Sequence, residues 1–393
     1  MSEASAHKMA YCVEPSPGTT PTNPRFQRLP DTRTSLNMTR ETIPSNRLTG
    51  DRFPAEPRSG ARGAGGDIPV DLSFETYDAF IASALQGVWS APASLDSVDI
   101  TIDSTPTPGQ EEGDTYNTTN GVVTFERVDA ASEELVLLYV PTASPDAAET
   151  YEFTGTSGGA QTIDGETFEP TAFTNVAEES TCLAGDTRTA MSILREFSDL
   201  PDENFLLYTG CEVATWSLQA EANNVATSTF TMFGRTMEAP ALTAPAGTSY
   251  APAVDTEAFD TFSGEMKVDG VAQCIVTSYG LTVTNGHAPR YTVGCEGSGT
   301  PSVTQSVIEG TATIYFESPA LYKKFFSEES FSLELTLQDS EGNQLIISLP
   351  NLKISSATPD VTGDGPITMP INFTAHKDNT LGSHISVTSK QAA

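Results

Sequence analysis

Few residue groupings in this sequence have the types and spacing that chemistry needs. "GTSGG" at 155–159 fits the G-x-S-x-G pattern around Ser157, but that serine is a nucleophile only on a sharp turn between a strand and a helix. "AQTIDGETF" follows, a strand and turn, and the nearest downstream histidine is the distant His287, so a plain turn is expected. "GARGAGG" at 60–66 has a phosphate loop's glycine density without its Gly-Lys-Ser/Thr ending, and it leads into a strand rather than a helix N-terminus. It reads as a flexible hinge. "DVTGDG" at 360–365 spaces Asp360, Thr362 and Asp364 like the start of a calcium loop, yet Ile371 stands where the closing Glu belongs, which leaves a hairpin turn.

The five cysteines (Cys12, Cys182, Cys211, Cys274, Cys295) form no CxxC pair, and none of the four histidines completes a zinc signature. Reduced, mostly buried thiols are expected. Trp216 and Tyr279, each five residues after a cysteine, read as core packing. The acidic clusters Glu111, Glu112, Asp114 and Glu178, Glu179 read as solvated loops, because paired glycosidase carboxylates need a cleft. No catalytic residue, cofactor or metal site is expected, and an enzyme is a distant reading.

Charge is more informative. The 393 residues carry a formal net charge of −32, which argues against a protein that holds duplex DNA by attraction. Residues 1–66 have net charge +3 and residues 67–393 have −35, with no lysine between Lys8 and Lys267. The cationic stretch is arginine-rich: Arg40, Arg47, Arg52, Arg58 and Arg62, interleaved with Glu41 and Asp51. The start, Met1, Ser2, Glu3, Ala4, lacks a signal peptide's apolar core, and no run of about 18 apolar residues could span a membrane. The chain reads as cytoplasmic when made.

The elements that must position these residues are mainly strands. Residues 1–37 hold prolines at 15, 17, 21, 24 and 30 and no periodicity, so an extended arm is expected, ordered only if a partner holds it. Ile68, Val70 and Leu72 alternate with Asp67, Pro69 and Asp71, the pattern of a half-buried strand. Ser73 is expected to cap a helix with the stripe Tyr77, Phe80, Ile81, Ala84 and Leu85, ending at Gly87. Residues 94–191 are Thr-, Gly- and acid-rich with short alternating runs, a small inserted all-β domain. Strand-like runs fill the rest, apart from a second helix after Ser318 and Pro319.

The two helices share a pattern. Ser73, Tyr77 and Phe80 recur as Ser318, Tyr322 and Phe325, an offset of 245, and "NFLLYTGCEVATWSL" from Asn204 overlays "NQLIISLPNLKISSA" from Asn343, an offset of 139. The 106-residue difference matches the acidic module. A duplicated unit is therefore expected: unit 1 at 38–93 and 192–250, interrupted by the insertion at 94–191, and unit 2 at 251–393. Each unit alone would leave sheet edges open.

"RETIPSNRLTGDR" at 40–52, "GDIPVDLSFETYDAFIASALQGVW" at 66–89, "YTGCEVATWSL" through "FTMFG" at 208–234 and "GPITMPINFTA" at 365–375 make the chain resemble the tail tube (major tail) proteins of siphovirus-type bacteriophages. The resemblance implies a mainly β fold of two tandem β-sandwich units, each with one short flanking helix, plus the inserted β domain and the N-terminal arm. It implies a structural virion protein, assembled in the host cytoplasm, whose stacked rings conduct genomic DNA through the lumen without specific binding. It also implies tail terminator, tape measure and tail tip proteins as partners and no membrane. Single-unit members form hexamers, so two units per chain imply a trimeric, pseudo-sixfold ring.

With that reading, lumen carboxylates repel phosphates. The arm residues Arg40, Glu41, Arg47, Asp51, Arg52, Arg58 and Arg62 reach a neighbouring subunit. The insertion is expected on the outer wall, exposed to host surface structures. The alternative is a bacterial surface or adhesin-type β-sandwich, likewise acidic, lysine-poor and Thr-rich. A phage head protein is a nearer neighbour, but would carry a long helix.

Overall fold

Alternation of apolar residues with threonine, serine and short acids builds the main sheet. The computed structural model describes residues 6–30, 33–44, 56–91, 93–94, 98–102, 115–117, 121–129, 134–141, 161–163, 166–168, 170–174, 178–202, 204–254, 256–293, 297–359, 361 and 366–392. Ser157, the Glu111/Glu112/Asp114 cluster, Cys295 and most of "DVTGDG" lie outside them.

The chain divides into two compact units: Met1–Val88 with Cys182–Ser340 and Leu345–Val387, and Trp89–Thr181 with Glu341–Gln344 and Thr388–Ala393. The first contains β1 (His7–Val13), β2 (Asn37–Ile43), β3 (Arg58–Asp71), α1 (Asp78–Leu85), β4 (Met191–Phe197), β5 (Phe205–Glu221), β6 (Thr227–Gly234), β7 (Asp260–Val268) and β8 (Val276–Thr284). Then come β9 (Val307–Tyr315), α2 (Ala320–Ser327), β10 (Phe331–Gln338), β11 (which begins at Gln344 and ends at Ala357) and β12 (Thr368–Ala375). The second unit holds a five-stranded antiparallel sheet in the order Pro170–Thr174, Val98–Ile102, Glu134–Pro141, Gly121–Asp129, Thr115–Asn117, and a hairpin of Gln161–Ile163 with Glu166–Phe168.

In the first unit eight strands run in the order β2-β3-β6-β5-β8-β9-β12-β11, every pairing antiparallel. β1 and β4 pair beside the N-terminal half of β5, and β7 pairs with β10. One face of the eight-strand run is apolar. Ile68, Phe230, Trp216, Leu281, Ala312, Ile371 and Phe373 are buried there. α1 covers its first half: the Phe80 ring lies 5.3 Å from Phe230, and Ser83 Oγ receives the Val213 N–H at 3.1 Å. α2 covers the second half, with Tyr322 and Phe325 packed on Ile314, Ala357, Met369 and Ile371. The cysteine and aromatic positions follow the core reading: Trp216, Tyr279, Cys12, Cys182 and Cys211 are buried, though Cys274 is exposed.

Four local expectations need correction. First, residues 7–30 are not an arm awaiting a partner. β1 pairs with β4 of the same chain, Arg25–Arg28 pairs with β1, Phe26 is fully buried, and Arg28 meets Glu196 at 3.2 Å. The apolar set here is small and split by a proline-rich loop, which hides it from a periodicity search. Second, the glycine run is no hinge but the interior of β3. Gly66 sits at φ +150°, where an added Cβ would stand 2.6 Å from the Leu36 backbone, so the glycine serves close packing of two backbone segments.

Third, neither serine caps its helix. α1 begins after Tyr77 and α2 after Pro319, without side-chain caps, and Ser73 Oγ donates instead to Thr76 Oγ1 at 2.7 Å. Fourth, the helices do not carry the repeat offset. α1 starts at 78 and α2 at 320, so Phe80 and Phe325 are not equivalent helix positions. The strands carry the correspondence instead. The β5–β6 rungs Val213↔Met232 and Thr215↔Thr231, with a bulge between them, recur 141 residues later in β11–β12 as Ile354↔Phe373 and Ser356↔Asn372, with a bulge at the same place. The β3–β6 rung Ile68↔Phe230 recurs as Ala312↔Ile371, and the β2–β3 rung Asn37↔Gly65 as Thr282↔Glu309.

Candidate assembly interface

The face of the eight-strand run opposite the helices is polar because every second residue is. Thr231, Thr215 and Thr284 share one line across β6, β5 and β8; Thr229, Ser217, Thr282, Glu309, Thr374 and Lys353 share the next. Threonine suits both demands of such a face, β-branched for the strand and hydroxylated for water. On the described rungs the exposed acidic members are Asp67, Asp71, Glu221 and Glu309, opposed by Lys353, while Glu212, opposite Phe233, is buried. Asp67 Oδ1 accepts a cross-strand bond from Thr231 Oγ1 at 2.7 Å. The face is thus a hydroxyl surface with sparse acid, and most of the −32 lies elsewhere.

Of the outer strands of the run, β2 is exposed along most of its length, and β11, which also pairs with Ser386–Lys390, is exposed toward its C-terminal end. Asn37, Thr39, Arg40 and Glu41 on β2 are solvent-facing, as are Lys353, Ser355 and Ser356 on β11. The arginine segment begins on this edge. Arg40 stands opposite Arg62 on the β2–β3 ladder, and Ile43 opposite Arg58. Two cations on one rung repel, which favours an anionic group beside them. Arg40, Glu41 and Arg58 form no ion pair among the described residues, whereas Arg62 is half-buried and partnered. Arg47, Asp51 and Arg52 lie outside the described residues.

A buried charge cluster missed in the sequence sits where the two halves of the run meet at β5–β8. Glu212, which stands opposite Phe233 on the β5–β6 ladder and is itself buried, accepts at Oε2 from Arg188 Nε (3.0 Å) and Nη2 (2.6 Å) and contacts His287 Nε2 at 3.0 Å. Arg188 Nη1 also donates to the Pro301 carbonyl at 2.9 Å. Burial alone would raise the Glu212 pKa, but bonds from His287 and Arg188 outweigh it and hold the carboxylate below its ordinary range. The signal available in sequence was one acid inside the apolar run "YTGCEVATW"; its partners are too far away in the chain to be paired with it by inspection.

This cluster joins elements, with the Glu212 and His287 side chains 3% and 1% exposed. Burial pushes Cys12 up to about 11 and Cys182 to about 12, and Cys211 higher, so these thiols are not activated nucleophiles. No group of acids, histidines and cysteines among the described residues could hold a metal ion, and no helix is long and apolar enough to cross a membrane.

Comparison with curated proteins finds no match. The family model described as "Phage tail tube protein" matches residues 4–375, nearly the whole chain. A mainly β sheet system with a polar face, two exposed edge strands and two covering helices is in keeping with that match. The chain belongs to the phage tail tube protein family.

Proposed function

We propose that three copies of this chain close into a ring through their eight-strand sheets, and that stacked rings form a tube whose polar sheet face lines a conduit for genomic DNA. The single observation that carries this reading is the β5–β8 pairing, which joins two repeats of matching register into one continuous sheet and leaves β2 and β11 as the outer strands. Such a head-to-tail edge contact closes into a ring or runs on as a filament. Strands about 4.8 Å apart and tilted about 40° give a barrel about 48 Å across from three copies of the run and about 32 Å from two. Side chains take about 5 Å from each wall. Only the three-copy bore then leaves duplex DNA room for its hydration.

A lumen of this composition works by not binding. Threonine hydroxyls stay hydrated, and Asp67, Asp71, Glu221 and Glu309 supply a weak field of the phosphates' own sign, the opposite of counterion-release attraction. The β2–β3 hairpin, with Arg40, Glu41, Arg47, Asp51, Arg52, Arg58 and Arg62, reaches acidic groups of a neighbouring subunit or ring. The small β unit, taken as the insertion at 94–191 into unit 1 (38–93 and 192–250), stands outside the bore, because inside it would block DNA. Unit 2 is 251–393.

Electron microscopy of the purified protein tests the assembly: hollow stacked rings are expected, and isolated globules or rods would count against it. Lysine at Asp67, Asp71, Glu221 and Glu309 together tests the lumen: DNA ejection should slow, and unchanged ejection would remove the role given to that face.

A further inference from the structure

The β5–β8 joint supplies a template for a second joint. We propose that, in the ring inferred above, the exposed C-terminal end of β11 in one protomer pairs antiparallel with the open edge of β2 in the next, with Ser356 opposite Thr39. The inference rests on the ring reading and specifies its seam.

The register follows from the internal repeat. Within the chain, Thr215 of β5 faces Thr284 of β8, and the Asn285 N–H donates to the Ala214 carbonyl at 3.0 Å. The rung correspondence carries Ala214 and Thr215 to Ser355 and Ser356 on β11, and Thr284 and Asn285 to Thr39 and Arg40 on β2. The Arg40 N–H would then donate to the Ser355 carbonyl, and Ala357 would face Met38. Both edges carry short or polar residues, Thr39 and Asn37 on one side and Ser355 and Ser356 on the other, and all four are exposed. An unpaired strand edge of this kind is a template for another chain.

The bulges agree with this seam. On β5 the bulge at Ala214 shifts the ladder to β6, while the β8 ladder runs unshifted from Thr215 to Glu221. β11 has the same bulge at Ser355, and β2 keeps regular register to β3 from Asn37 to Arg40. The two joints differ in one respect. Glu212 and His287, which anchor the internal joint, correspond to Lys353 and Thr42, so the inter-chain joint has no buried ion cluster.

Ser356 and Thr39 would form a non-hydrogen-bonded pair, the closer type at about 4.5 Å between Cα atoms and within disulfide range. The test uses the full chain with Cys274→Ser and Cys295→Ser, carrying Ser356→Cys and Thr39→Cys together. Oxidation of assembled tubes should yield covalent dimers and trimers on non-reducing gels, and no species larger than a trimer. Either single variant should give none. Ser356→Cys combined with Asn37→Cys or Glu41→Cys should cross-link at least fivefold less.

If tubes form but the matched pair does not cross-link, or a shifted pair does so better, the seam is wrong and the tube reading survives. A dimer from a single variant would show symmetric edge pairing and overturn the proposal. If the unsubstituted protein makes no hollow assembly, the tube reading itself fails. Should the double variant not assemble, amide exchange on the unsubstituted protein decides. Assembly should slow exchange at 37–40 and 353–358 at least tenfold, and no slowing at either segment would overturn the seam.

Discussion

Arg188→Ala should lower the melting temperature by about 6–12 °C at pH 7, through the carboxylate it leaves behind. The Glu212 side chain is 3% exposed, and its Oε1 has no hydrogen-bond partner. Arg188 supplies two of the three contacts at Oε2. Removing one partner of a buried ion pair costs about 3–5 kcal/mol. The remaining His287 contact puts this variant at the lower end, about 3 kcal/mol, and a unit of this size loses about 2–4 °C per kcal/mol.

The pH dependence fixes the sign. Glu212 has a folded pKa held below its ordinary 4.5, so its contribution is present above about pH 4.5 and is lost as pH falls through the folded value. The gap between wild type and Arg188→Ala should therefore be full at pH 7 and narrow below about pH 4.5. Scanning calorimetry at both pH values measures it. The double variant Arg188→Met/Glu212→Leu removes both charges and should recover most of the loss. A drop under about 2 °C at pH 7, or a gap that widens in acid, would refute the reasoning.

Other outcomes follow from the same geometry. Gly66→Ala should destabilise strongly or prevent folding, because the new Cβ meets the Leu36 backbone; a melting temperature within 2 °C of wild type, about the noise of a surface change, would contradict it. Burial and the neighbouring Glu75 push Asp78 up to about 7, so the folded state loses stability as pH rises from the unfolded value near 3.8 to about 7. Asp78→Asn should therefore gain stability relative to wild type across that window and none below it, read as melting temperature against pH. Charge reversal of Arg40, Arg47, Arg52 and Arg58 to Glu should stop tube growth while leaving the melting temperature unchanged; light scattering that rises as for wild type would remove the arm's role. Deleting residues 1–60 is a poor substitute, since it strips Met9, Phe26 and Leu36 from the core.

The strand at Ile68, Val70 and Leu72 and both helices were legible because each depends on a local period. The N-terminal strands were not, because Met9 and Phe26 gain their partners from β4 and from each other's neighbourhood, and prolines dominate the sequence between them. The glycine run misled for a related reason: its glycines answer to residues far away in sequence, Gly66 to Leu36 and Gly65 to Met232. The recurrence of strand rungs is shifted by two from the alignment of letters over β5 and β11. Matching letters placed Asn204 on Asn343, whereas hydrogen-bond registers place Val213 on Ile354.

Charge had the same limit. The sum of −32 argues against holding DNA by attraction, but strand parity assigns to the polar face only a few exposed acids among many threonines. In the conduit proposed above, repulsion would come from a hydrated hydroxyl wall with thin acidity.

The most direct measurement of the central claim is a reconstruction of the assembled tube from electron micrographs, counting chains per ring. Three chains per ring, with an inner barrel continuous across β11 and β2 and the threonine face toward the bore, is the predicted result. Six chains per ring, or a bore lined by the helices, would contradict it.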